Sequence, residues 1–227
     1  MNFFNSKNKF FLDMSKAKMM SKCVVFIDDT LEKLRASTGQ LIQIGQVKNP
    51  FEEVAHLLVL KGALKNNIVA NPNNSFDHKE YFCDDLVIIS DYMPPKIQIK
   101  HLSQEDSDKV IKAAREIIEF TGIEKSVSRV GINYEMFLEE TRNIKDYLLK
   151  DSVAKGFTSL SATPVFEIDE NTTLNLTIAA AINNEGKNGI YFQANFDSKV
   201  SELNKIFDIL NKNFRQIADE KIKLIFG

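Results

Sequence analysis

Apolar and polar residues alternate along two stretches of the chain, 86–120 and 127–217, and in each the alternation gives way to helical spacing. The second stretch is the cleaner. Val130, Ile132, Tyr134 and Met136 fall on one side of a strand, with Arg129, Asn133 and Glu135 on the other. Leu174, Leu176, Ile178 and Ile182 repeat the pattern against Asn175, Thr177 and Asn183. Successive side chains of a strand point to opposite faces, so these segments predict a sheet with one apolar and one polar face. Further strands are expected at 22–27, 41–47, 86–89, 97–99, 158–168 and 190–196. Pro50 opens a strongly apolar helix, as proline can in a first turn. Val110, Ile111, Ala114, Ile117 and Ile118 mark a second helix, with Ser103 and Asp106 as its capping box and Gly122 as its stop. A short helical patch surrounds Ile144, Tyr147 and Leu148. Asp197 or Ser198 is expected to cap a final helix with the stripe Val200, Leu203, Ile206, Phe207, Leu210, Phe214 and Ile217, before a terminal strand at Lys221–Phe226.

The predicted fold class is α+β: an antiparallel-rich sheet with amphipathic helices packed on one face. The repeated strand–strand–helix order suggests two related halves. The expected organisation is a mobile leader over 1–20, an N-terminal α+β half over 21–126, and a strand-rich half over 127–227 that ends in a helix. In the leader, lysines interrupt the apolar pairs Phe3–Phe4 and Phe10–Phe11, so the continuous core of a signal peptide is missing. The leader is read as a mobile tail or as a misassigned start ahead of Met19 or Met20. A membrane-surface segment is the alternative.

The composition is that of an ordinary globular chain: 227 residues, 44% hydrophobic and 26% charged. The net charge of −2 lacks the basic excess of a duplex binder, so DNA is not an expected partner. Cys23 and Cys83 are too few for a disulfide framework and read as reduced thiols of a cytoplasmic protein. No run of about 18 apolar residues predicts a transmembrane segment. The abundance of Asn, Lys and Ile suggests an AT-rich bacterial genome.

Ser128-Arg129-Val130-Gly131-Ile132-Asn133-Tyr134 follows an amphipathic helix. It resembles a strand motif of a sporadically distributed family of uncharacterised bacterial proteins. In that family Arg, an aliphatic residue, Gly, an aliphatic residue and Tyr follow a helix, and more strands and a C-terminal helix come after. Arg129, Val130, Gly131, Ile132 and Tyr134 match, as does the order of elements from about residue 86 onward. The family's second Arg is replaced here by Asn133. The resemblance implies the same α+β fold and carries no activity with it.

Candidate chemistry is sparse. Val24–Leu31 resembles the strand end of haloacid-dehalogenase-type phosphotransferases, but that chemistry needs aspartates two residues apart. Asp28 and Asp29 are adjacent and point opposite ways on a strand, so a strand ending in a helix cap is the simpler reading. His56, His78, His101 and the cysteines lack zinc-site spacing, so no metal is expected. No nucleophile elbow, P-loop or dinucleotide fingerprint occurs, so no cofactor is expected. What remains is the polar sheet face: Arg129, Asn133, Glu135, Asn175, Tyr191 and Gln193, with Thr177 and Asn195, extended by Lys96, Gln98 and Lys100. RNA-reading sheets need two or three exposed aromatics, and only Tyr191 and Phe137 are on offer.

The expected function is a non-enzymatic interaction module that binds itself, as a homodimer, or another protein through an open sheet face or edge. One alternative is an enzyme or small-ligand sensor with an anion-accepting pocket on the polar face, which would use Arg129, Glu135 and Tyr191. A second is a holdase-like chaperone or toxin-neutralising partner, by fold-level analogy.

Overall fold

A computed structural model describes residues 12–29, 33, 36–37, 39, 51, 68–75, 77–83, 85–92, 95–101, 108–142, 144–148, 160–200 and 205–226. The expected strand at 41–47, the body of the helix opened by Pro50, and the Ser103–Asp106 capping box lie outside these residues. The chain forms two compact units. A meander unit comprises Ser21–Ile132 and Asp197–Lys212; a hairpin unit comprises Met1–Met20, Asn133–Phe196 and Asn213–Gly227. Strands β1 (Lys18–Ile27), β6 (Arg129–Glu139) and β10 (Asn188–Lys199) contribute residues to both. The fold class is α+β, with antiparallel strands dominant, as the alternation predicts.

In the meander unit β2 (Ile68–Ala70), β3 (His78–Cys83), β4 (Leu86–Tyr92) and β5 (Pro95–His101) lie side by side in chain order, followed by β1 and β6. The antiparallel register sets Tyr81, Ile88, Ile99 and Val24 in one cross-strand row, and all four are buried. Helix α1 (Lys109–Thr121) buries Val110, Ala113, Ala114, Ile117 and Ile118 and packs on β5. It stops at Gly122, as expected: φ is 64°, and the Gly122 N–H donates to the Ile118 carbonyl at 2.8 Å. Strands β2 and β3 are additions to the sequence reading. The turn cluster at 71–75 joins them, with Asn71 Oδ1 accepting from the Asn73 N–H (3.0 Å) and Asn74 Oδ1 from the Glu80 N–H (2.7 Å). Such side-chain bonds replace the missing ladder inside a turn.

In the hairpin unit β9 (Thr172–Ile182) and β10 are joined by a turn at 183–187. Gly186 takes φ 77° there, and Asn183 Oδ1 accepts from the Glu185 and Lys187 N–H groups. The other side of β9 pairs with β7 (Ser161–Ala162) and β8 (Val165–Asp169). Even positions face inward: Leu174, Leu176, Ile178, Ile190, Phe192, Ala194 and Phe196 are all at most 1% exposed. Helix α2 (Ile144–Leu148) and helix α4 (Phe214–Phe226) carry the cover. Helix α4 aligns Phe214, Ala218, Ile222 and Phe226, spaced four apart and therefore on one side of a helix. Phe214 packs on Phe196 with its ring tilted by 43° and the centroids 4.5 Å apart, and Phe226 meets Phe192 edge-on at 6.4 Å. Tyr147 of α2 adds a second edge contact to Phe226 at 5.7 Å.

Several boundaries differ from expectation. β10 runs on to Lys199 because Ser198 continues the inward parity and is 1% exposed, so neither Asp197 nor Ser198 caps a helix. The single final helix is two: α3 (Lys205–Asn211), in the meander unit, and α4. Asn213 interrupts it, its Oδ1 accepting from the Gln216 N–H at 3.2 Å as an N-cap does. Lys221–Phe226 is therefore helix and not strand. Ile182, expected inward, is 68% exposed at the end of β9. Residues 12–20 depart from the expected leader: Asp13 caps a short turn at Met14–Lys16, β1 begins at Lys18, and Leu12, Met14 and Met19 are buried. Among the described residues no helix is long and apolar enough to cross a membrane.

Two glycines are required for different reasons. At Gly122 a Cβ would meet only the Glu124 carboxylate, at ordinary contact distance, but in left-handed backbone, which costs about 1–2 kcal/mol. At Gly189 the φ is ordinary, but a Cβ would drive into the Phe137 ring and the Leu138 carbonyl oxygen. Gly122→Ala is expected to lower stability by about 1–2 kcal/mol, and Gly189→Ala by about 2 kcal/mol or more, both measured by denaturant unfolding. A neutral Gly189→Ala would contradict the close approach of β10 to β6.

Candidate functional site

Five of the six expected face residues lie in the hairpin unit. Asn133, Glu135, Asn175, Tyr191 and Gln193 occupy odd positions of β6, β9 and β10, and all are half-buried. Side chains on one sheet face shield their neighbours, so partial burial is expected without any cover. The Tyr191 hydroxyl donates to the Glu135 carboxylate. Burial first, then the charge and hydrogen bond of Glu135, push the Tyr191 phenol up to about 12. Tyr191 is thus a fixed donor, poorly suited to giving up its proton near neutral pH. Phe137 is 5% exposed, beside Gly189, so it offers no stacking platform.

Arg129 lies in the meander unit. Its Nε donates to Asp197 Oδ1 at 3.1 Å, and its Nη2 donates to Asp197 Oδ2. This fork is the strong, two-pronged geometry that arginine makes with carboxylates. The charge that suggested an anionic ligand is therefore matched within the same unit. Lys96, Gln98 and Lys100 are half-buried on the polar side of β5, alternating with buried Ile97 and Ile99, and Lys96 pairs with Asp91 at 3.1 Å. Asp28 and Asp29 follow β1, with the Asp29 N–H donating to Ser128 Oγ at 2.9 Å and its carbonyl accepting from the Lys33 N–H, a bond of helical spacing.

A second polar cluster of the meander unit escaped the sequence reading. His101 is 2% exposed and its Nε2 donates to Asp85 Oδ2 at 2.8 Å; Lys109 donates to the same oxygen. The β4–β5 register sets Leu86 opposite His101, which brings Asp85 alongside. Spacing in sequence could not show this without the register. Lys109 first, then His101, hold the Asp85 carboxyl at about 2. On the neighbouring strand, buried Lys22 reaches Asp108 at 3.3 Å.

In the hairpin unit a surface depression of about 580 Å³ is lined by Glu140, Thr141, Arg142, Ala180, Ile182 and Asn188. Glu140 accepts from the Tyr147 hydroxyl (2.7 Å) and from Arg142 Nε and N (both 3.1 Å). Burial pushes its carboxyl up, but these bonds outweigh that and hold it at about 2. Comparison with protein-family models, curated proteins and solved structures gives no match to this chain. The chemistry must therefore be read from the side chains. Cys23 and Cys83 are buried free thiols, and among the described residues no group of three or more His, Cys, Asp and Glu could hold a metal. His56 lies outside the described residues. The charged groups named here pair chiefly with one another, which makes them fasteners of the sheet.

Asp85→Asn tests this. A carboxyl held below its ordinary 3.8 adds stability that is fully present above pH 4 and is lost as pH falls towards 2. Asp85 is 38% exposed, and solvent screening reduces the expected loss at pH 7 to about 1 kcal/mol. Denaturant titrations of both proteins should show the difference narrowing between pH 4 and pH 2. A constant difference across that window would contradict the assignment.

Proposed function

We propose that this chain is a non-enzymatic interaction module that binds itself or another protein through its sheet, in the cytoplasm. The observation that carries the reading is the edge of the hairpin unit. β7 and β8 lie at one end of the strand order, and every odd residue from Ser161 to Asp169 is exposed, including Val165 at 62%. An edge strand carries a row of N–H and C=O groups able to accept another strand. The polar sheet groups, by contrast, are occupied: Arg129 by Asp197 and Tyr191 by Glu135. The two buried free thiols fit a reducing compartment.

A second reading, a small-ligand sensor, draws on the depression at Glu140 and Ile182, which has the volume of a small-molecule site. Light scattering coupled to size-exclusion chromatography separates the two. The interaction reading expects a mass that rises towards a dimer with concentration, or a defined heterocomplex. A strict monomer at several hundred micromolar that is stabilised by a small molecule would favour the sensor.

A further inference from the structure

The edge strand has a register of its own. β7 sets Ser161 against Ala179 and Ala162 against Ile178; β8 sets Val165 against Asn175, Phe166 against Leu174 and Glu167 against Thr173. These pairings share one register, so 161–167 runs as one strand along β9, with a bulge only after Glu167. The Leu176 N–H donates to the Pro164 carbonyl at 3.0 Å, which turns the main chain of Pro164 towards β9. In an antiparallel ladder successive residues direct their N–H and C=O groups to opposite sides. Thr163, Val165 and Glu167 therefore direct theirs outward, and among the described residues no strand pairs with that side. The proline, which has no N–H to give, interrupts only the side facing β9. Phe166 is held under Lys221 of α4, 5.5 Å from ring to ammonium, so the strand is anchored from its inner face.

Resting on the interaction reading, we propose that the occupant of this edge is a second copy of the chain, paired antiparallel about a two-fold axis through Val165. The residue types favour that register. It sets Val165 against the partner's Val165 and Thr163 against the partner's Glu167. The acid meets a hydroxyl and the apolar residue meets itself. An in-register parallel pairing would instead set Glu167 on Glu167, and like charges directly opposed are unfavourable. The acid confined to one half of the strand thus admits a closed two-fold pair and opposes open stacking. The bulge after Glu167 ends the common register, so about seven residues of strand bury less than the roughly 1,200 Å² of a stable interface, and the dimer is concentration-dependent, with a Kd in the micromolar range.

Sedimentation of the full chain between about 1 and 500 µM measures the dimer. Thr163→Glu should weaken it about threefold or more, and Thr163→Lys should strengthen it by a similar factor, since residue 163 faces the partner's Glu167. Val165→Pro removes an outward N–H that no described strand of the chain pairs with, so it should abolish the dimer with the circular dichroism melt retained. Under mild oxidation Val165→Cys should cross-link to itself, because opposed residues that exchange hydrogen bonds lie about 5.5 Å apart between Cα atoms. Thr163→Cys should not, its own copy lying beyond disulfide reach. If Val165→Pro fails to fold, the exposed Thr163 pair still decides the matter. A dimer indifferent to positions 163 and 165 would overturn the edge assignment and leave the interaction reading standing. A strict monomer throughout the range would overturn both this pairing and the self-association on which it rests.

Discussion

The hairpin unit depends on covering one apolar sheet face. Phe192 and Phe196 stand on the inward side of β10, and neither could remain in water without losing on the order of 2 kcal/mol or more of burial. Helix α4 supplies the cover with Phe214 and Phe226, three turns apart, each meeting one of them. The spacing matters as much as the composition. A helix rises about 1.5 Å per residue and a strand about 3.3 Å, so twelve helical residues span roughly the length of a strand half as long. Tyr147 closes the arrangement, with its ring on Phe226 and its hydroxyl on Glu140. One side chain thereby joins the apolar core to the polar rim.

The polar face follows from the same parity. Once even positions turn inward, odd positions are committed outward, where they meet across strands. Arg129 meets Asp197, and Tyr191 meets Glu135. Such pairs fix register and exclude slippage, because a shift by one residue would carry every charge into the core. They also leave little free chemistry on the face. What a sheet cannot satisfy by itself is its edge, and this is why the proposed interaction is placed on the strand that begins at Ser161.

Much of the architecture was legible in the residues. The alternation at Val130–Met136 and Leu174–Ile178 gave the inward set, and Gly122 gave the end of α1. The misreadings have physical causes. Ser198 is polar and resembles a cap, yet it is buried because strand parity carries through it. Asn213 sits inside an apolar stripe that remains continuous across the helix break, so periodicity alone could not reveal the break. β3 was hidden because His78, Lys79 and Glu80 mask the alternation of Tyr81 and Cys83. The six face residues could be named but not their partners: Asp197, like Ser198, reads in sequence as a helix cap, and cross-strand pairing depends on register. The His101–Asp85–Lys109 cluster was illegible for the same reason.

Side-chain parity along β9 and β10 is the central physical claim, and cysteine accessibility measures it directly. Single cysteines placed in turn at positions 173–178 and 190–195 would be labelled with a small thiol reagent under native conditions, the two natural cysteines being buried. Labelling that rises and falls with every residue, fast at odd positions and slow at even ones, is the predicted result. Uniform labelling, or protection that repeats every three to four residues, would contradict the sheet and everything built on it.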